Sequence, residues 1–256
     1  SDNEAIFNTI NSKYYDLNEF NNLRYSPSAL GILHTNIASL NLHHEALETF
    51  LALLKFKFQI IAISEHKINK STALENFEIP GYHNFIYTET SSTHGGTGFY
   101  ISDKLSVKKR DDLLLLPPGE KDFESTFIEV ELHNRKNLVL GCIYRHPSSA
   151  ISIDEFSKDF LEPILLKISK EDKVCSIVGD FNIDLLKVET HISTSNYYNI
   201  MLSNFFAPYI LQPTRMGSKT LIDNIFLNTV DYTSVSGNFK IEISDHLIQF
   251  AILDNF

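Results

Sequence analysis

KVCSIVGDFNID, residues 173–184, is the stretch on which the reading of the fold turns. Its first half is an apolar, β-branched run of buried-strand length. Gly179 then permits a tight exit, and Asp180 follows at once. A polar acid placed where a buried strand emerges stands where sheet proteins commonly build their sites. Asp180 and Asn182 are two apart, so in an extended segment they point to the same side. From there Asp180 can accept a proton from a water, and Asn182 can donate to a phosphate oxygen. A simple turn also favours Gly, Asp and Asn, so this motif alone leaves both readings open.

Upstream, QIIAIS (59–64) is a second buried strand that ends on an acid, Glu65. Before it lie a strand, LGILHTN (30–36), and a helical pattern from Leu42 to Phe58. In that pattern Leu47, Phe50, Leu51, Leu54 and Phe58 recur at spacings of three and four. Strand, helix and strand make a βαβ-like unit. YHNFIYTE, GTGFYIS, STFIEVELH and LVLGCIYR read as further strands between turn signals. Ser152 and Glu155 form a capping box that opens a helix reaching Ile168, which Pro163 should kink or shorten. A helix near Ser195 to Phe206 follows, and TLIDNIFLN, YTSVSGNF and HLIQFAIL are strands again. Many strands with a few helices predict two packed sheets with helices outside. Residues 1–28, polar and Asn-rich with Tyr14, Tyr15 and Phe20, read as an N-terminal arm with room for a short helix, and 29–256 as one domain.

The composition agrees with a globular chain. The 256 residues are 43% hydrophobic, with 19 Phe and 11 Tyr, enough for a large core. No apolar run reaches bilayer length, and no secretory signal is visible. The missing initiator Met suggests a piece cut from something longer. Cys142 and Cys175 sit in apolar β-rich runs and read as buried core thiols, which fits a reducing compartment. The formal net charge of −10 weighs against tight nucleic-acid binding. A weakly binding catalytic domain can, however, borrow affinity from a neighbouring module.

Downstream, SDH (244–246) offers a metal ligand or base beside a cationic donor. A lone surface His is the usual reading of such a triplet, but TLIDNIF changes the odds. Asp223 there falls on the side of Leu221, Ile225 and Leu227, and a core-facing carboxylate needs a partner. A histidine it can hold is the economical answer. Asn36 and the Tyr144–Arg145 pair of IYRHP are weaker candidates for phosphate or backbone contact. GGTGF (95–99) lacks the phosphate-loop pattern and can simply turn a hairpin. No HExxH, spaced Cys/His cluster or GxSxG elbow is present, so zinc and serine-hydrolase chemistries fit poorly.

Taken in order, NIASL (36–40), SEH (64–66), IYRHP (143–147), GDFNID (179–184), TLIDNIF (220–226) and SDH (244–246) form a series. From about residue 30 to the end, that series resembles the endonuclease/exonuclease/phosphatase superfamily. Within it, the series is most similar to the apurinic-like endonucleases of non-LTR (LINE-type) retrotransposons. The resemblance implies a four-layer α/β sandwich, two face-to-face mixed sheets flanked by helices, with the site at one edge. It implies Mg²⁺ or Mn²⁺, with Glu65 as chief ligand and Asn36 close by. Asp180 would position or deprotonate the attacking water, and Asn182 would stabilise the transition state. His246, oriented by Asp223, and Tyr144 would contact the phosphate, while Asp245 would complete the metal or water shell.

The resemblance also implies nicking of duplex DNA to a 3′-hydroxyl that primes reverse transcription, a linked reverse transcriptase domain and a nuclear location. Arg145, Arg215, Lys219, Lys67 and Lys70 flank the motifs and are the candidate DNA contacts. Two departures stand out: Ala38 occupies a place where many relatives carry an acid, and His66 follows Glu65, where it reads as a solvated bystander. Competing readings are a phosphoesterase of the same fold acting on RNA, a phospholipid or an inositol phosphate, and a non-catalytic binding module.

Overall fold

The alternation of apolar residues along the strands is satisfied by three separate cores. In a computed structural model that describes residues 10–90, 94–133, 135–230, 232, 234–254 and 256, thirteen strands form two sheets. The first sheet has the order β1-β12-β13-β2-β3-β5-β4. Its strands are β1 (Ser12–Tyr15), β2 (Leu30–Asn36), β3 (Ile60–Ser64), β4 (Ile86–Thr88), β5 (Thr97–Ile101), β12 (Ser234–Glu242) and β13 (Leu247–Leu253). The second sheet, β10-β11-β9-β8-β7-β6, comprises β6 (Val107–Lys109), β7 (Phe123–Val130), β8 (Leu138–Arg145), β9 (Cys175–Asp180), β10 (Ala207–Pro208) and β11 (Asp223–Leu227). Parallel pairs β2–β3 and β8–β9 lie at the centre of their sheets, and most other neighbours are antiparallel.

Residues two apart share a face, and each strand divides its side chains accordingly. Ile32, Ile60, Ala62, Phe99, Ile128, Leu140, Val178 and Ile225 meet between the sheets. Leu33, Ile61, Ile63 and Phe250 face outward, where Leu40, Leu47 and Phe50 of a helix (α2, Leu40–Leu53) cover them. On the other side Val139, Ile177 and Phe226 pack beneath Leu161, Leu165, Tyr197 and Met201. Those side chains come from a π-helical stretch Phe156–Leu161, which follows α3 (Ile153–Glu155), and from α4 (Glu162–Ser169) and α5 (Ile192–Ser203). The result is the four-layer α/β sandwich, helix–sheet–sheet–helix. Each fully buried Ile or Phe contributes roughly 1.5–3 kcal/mol.

Pro163 acts as expected on its helix. It lies in the first turn of α4, where the absent N–H costs least. Ser152 accepts from the Glu155 N–H at 3.1 Å at the start of this run. The pattern at 42–58 is helical only to Leu53, and Phe58 instead joins an aromatic cluster with Phe20.

The N-terminal segment carries a short helix and, beyond that expectation, a strand at Ser12–Tyr15. Ser12–Tyr15 pairs in parallel with β12 as the sheet's edge strand. A short helix, α1 (Leu17–Asn21), follows, with a capping box built by Asp16 and Glu19. The reason is aromatic burial: Tyr15 and Phe20 are both in the outer core, and Phe20 packs within 5.0 Å of the Phe239 and Phe250 ring centroids. Residues 1–9 of the expected arm, and Thr233 of the expected strand YTSVSGNF, lie outside the described residues.

Candidate active site

Strand register assembles the site. Glu124 pairs with Tyr144, Tyr144 with Asp180, and Asp180 with Asp223, so the four lie in one row across β7, β8, β9 and β11. On the facing sheet Asn36 pairs with Ser64, and Ser64 with Thr97. At this edge the space between the sheets turns from apolar to polar. Gly179 makes the approach possible: its φ is +150°, and a Cβ there would come 1.8 Å from the Ile143 carbonyl oxygen.

A continuous hydrogen-bonded series crosses the gap. Asn36 Nδ2 donates to Asp180 Oδ2 at 2.8 Å and reaches Glu65 Oε1 at 3.3 Å, while its Oδ1 accepts from the Ala38 N–H. Asn36 therefore draws two carboxylates together as a donor. His246 Nδ1 lies 2.8 Å from Asp223 Oδ2, and Thr214 Oγ1 donates to the same oxygen at 2.6 Å. His246 Nε2 faces Asp180 Oδ2 and Asp245 Oδ1, each at 3.9 Å. Ser244 fixes the approach of this loop, since its hydroxyl donates to the Asn36 carbonyl and accepts from the His246 N–H. Asn182, held at φ +48°, donates its amide to the Arg145 carbonyl at 2.6 Å, and its N–H goes to Asp180 Oδ1.

The charges are tuned by these contacts. Burial, then the Asp223 charge, pushes the Asp180 carboxyl well above the usual range. Burial acts the same way on Asp223, but the His246 charge and hydrogen bond win and lower it. His246 is raised to about 9: burial opposes the cation, and Asp223 outweighs burial. Burial and the neighbouring Glu65 carboxylate push the Tyr144 phenol far up, so it stays a donor.

Asp180, Asp223 and His246 present ligand atoms within 4.8 Å of one another, a grouping able to hold a metal ion. A histidine held as a cation by Asp223 is a poor ligand, however. The carboxylates of Glu65 and Asp180, drawn together by Asn36, offer the oxygen donors that suit a hard divalent cation better. Asp245 sits at the rim, with its side chain 57% exposed and ion-paired to Arg215.

The expected DNA contacts separate into two groups. Arg145 is buried: its guanidinium donates to the Ile151 carbonyl and lies over the Phe156 ring. One residue beyond the inward-facing Tyr144, it faces the helical layer, so it is not a surface contact. Lys70 and Lys219 are exposed, Lys67 lies 4.0 Å from Glu65, and the part-exposed Arg215 is taken up by Asp245.

His66 is not a solvated bystander. It is 1% exposed, accepts from the Ile68 N–H through Nδ1, and packs edge-on against Phe85 and Tyr87. Burial pushes it down to about 4, so it is neutral. Sequence reasoning also missed Glu124 and His146, whose Oε2 and Nε2 lie 3.3 Å apart beside Tyr144. His34 was missed too; it is buried between Gln249 and Ser64. Strand parity could have found Glu124, which alternates with the core residue Ile128 along β7.

No family model and no curated protein matches the chain. Solved structures do. The endonuclease domain of TRAS1, a telomere-specific non-LTR retrotransposon, superposes with a TM-score of 0.62 at 13% identity, covering 89% of this chain and 99% of that one. An endonuclease/exonuclease/phosphatase family protein from Bacteroides thetaiotaomicron gives 0.62 at 12%, covering 91% and 100%. The AP endonuclease LMAP from Leishmania major gives 0.67 at 12%, covering 98% and 99%. The fold is that of the endonuclease/exonuclease/phosphatase proteins, a fold of nucleases and phosphatases. Among the described residues, no helix is long and apolar enough to cross a membrane.

Proposed function

We propose that this chain is a divalent-metal-dependent endonuclease that nicks duplex DNA to leave a 3′-hydroxyl. In this reading the hydroxyl primes reverse transcription by a linked reverse transcriptase domain of a non-LTR retrotransposon, acting in the nucleus. The observation that carries it is the unbroken series Glu65–Asn36–Asp180 facing His246–Asp223 across the open sheet edge.

Each residue has a task its environment suits. Asp180, with its raised affinity for a proton, takes one from the attacking water. His246 is a cation and donates from Nε2 to a non-bridging phosphate oxygen, while Asp223 holds the ring. Tyr144 donates its hydroxyl, and Asn182 offers its remaining amide hydrogen. Such preorganised donors are worth several kcal/mol in a dry site. Glu65, with Asn36 beside it and Asp245 completing the shell, would hold Mg²⁺ or Mn²⁺, which would neutralise the charge that builds on the phosphate.

The net charge of −10 supports a second reading, hydrolysis of a small phosphoester such as an inositol phosphate or of an RNA end. Product chemistry tests the choice. Nicked plasmid that a DNA polymerase extends without prior phosphatase treatment is expected. Turnover of small phosphoesters with intact plasmid would favour the second reading.

A further inference from the structure

Glu65 and Lys67 have φ of +55° and +56°, a left-handed conformation that non-glycine residues adopt only when something outside the segment holds them. The holder is the turn Gly95–Gly96. The Lys67 N–H donates to the Gly95 carbonyl at 2.9 Å, and the His66 N–H reaches the Gly96 carbonyl at 3.4 Å. This turn is itself left-handed, with φ of +88° and +93°. It is pinned from the opposite sheet: the Gly96 N–H donates to Glu124 Oε2 at 2.5 Å.

The contact leaves no spare room. A Cβ on Gly95 would come 2.0 Å from Glu124 Oε2, and one on Gly96 would come 2.3 Å from the His66 ring. Glu124, Gly96 and His66 therefore form a bracket across the open edge of the sandwich, and Glu65 stands at its end.

We propose that Glu124 is a positioning residue for Glu65. It acts by reach and hydrogen-bond acceptance at the Gly96 amide, not by its charge and not as a ligand. The proposal rests on the reading that Glu65 holds a divalent cation. Outer partners of this kind typically change metal affinity 10–100-fold when they are lost.

The test uses two substitutions that separate reach from charge. Glu124→Gln keeps the length and an acceptor oxygen but loses the charge. Glu124→Asp keeps the charge but is one methylene too short for the Gly96 amide. Mn²⁺ binding to each protein is measured by electron paramagnetic resonance, with a thermal melt alongside. Glu124→Asp is expected to weaken Mn²⁺ binding about tenfold, while Glu124→Gln stays within about threefold of the parent. The opposite order would make Glu124 a charge partner or ligand of the ion and overturn the proposal. So would two unchanged affinities, or melting points that fall with affinity preserved. A parent protein that binds no Mn²⁺ fails at the underlying reading of Glu65, and the positioning role falls with it.

Discussion

Asp180 and Asp223 are direct partners in the antiparallel pairing of β9 and β11, both essentially inaccessible to solvent. Like charges placed opposite one another destabilise a sheet, and burial adds to the cost. The structure answers with one cation, His246, bonded to Asp223 and facing Asp180. Such an arrangement sacrifices stability for a site, and it can be probed as such.

Removing the Asp180 carboxyl, whose raised proton affinity costs stability above its unfolded pKa, should stabilise the protein while abolishing its chemistry. With EDTA present, Asp180→Asn is expected to raise the unfolding free energy at neutral pH by about 1 kcal/mol. Urea unfolding measures it. A clear loss of stability would mean that the carboxylate is better compensated than its contacts indicate.

His246→Ala should do the reverse. It leaves two buried carboxylates without their cation, and breaking such a pair costs on the order of 3 kcal/mol. Urea unfolding in EDTA should show the loss at pH 7, shrinking in acid, where the carboxylates take up protons.

Away from the site, Glu129 sets a pH dependence. Its buried carboxylate accepts from Asn137, Lys173 and Arg110, and these bonds outweigh burial to hold it down at about 2. A folded value below the unfolded one contributes stability above the unfolded pKa of about 4.3, and that stability is lost as pH falls toward the folded value. The protein should therefore lose on the order of 1–3 kcal/mol between pH 5 and about 2 through this group. Glu129→Gln should be less stable at pH 7 and flatter across that window. Melts at stepped pH values check both.

Arg145 and Lys70 should separate cleanly. Lys70→Ala is expected to lower DNA affinity and reduce the salt slope by up to about 0.9. Arg145→Ala is expected to lower the melting temperature and leave the salt slope unchanged, because its guanidinium faces Ile151 and Phe156. Fluorescence anisotropy across a salt series, with thermal melts, distinguishes them.

How much of this was legible in the sequence varied with distance along the chain. Strand parity alone placed Asp223 on the core face and implied a histidine partner, and His246 is that partner. An acid at the exit of a buried strand marked Asp180 and Glu65. The same parity rule, applied one residue past Tyr144, would have turned Arg145 toward the helical layer and away from the site. Aromatic character marks Tyr15 and Phe20 for burial, but Phe239, which pairs with Tyr15 and packs on Phe20, lies more than 200 residues away. His66 was illegible because its role arises from contact with Gly95–Gly96, set by how the two sheets meet; parity could have put Glu124 on the inner face, but not its hold on the Gly96 amide.

The most direct test of the central claim is nicking of supercoiled plasmid at low salt by the parent protein, Asp180→Ala and His246→Ala, each with Mg²⁺, Mn²⁺ or EDTA. The account predicts relaxation by the parent with metal, none in EDTA, and a loss of at least about a hundredfold in both variants. Relaxation that survives EDTA or either substitution, or a parent protein inert toward DNA with both metals, would contradict it.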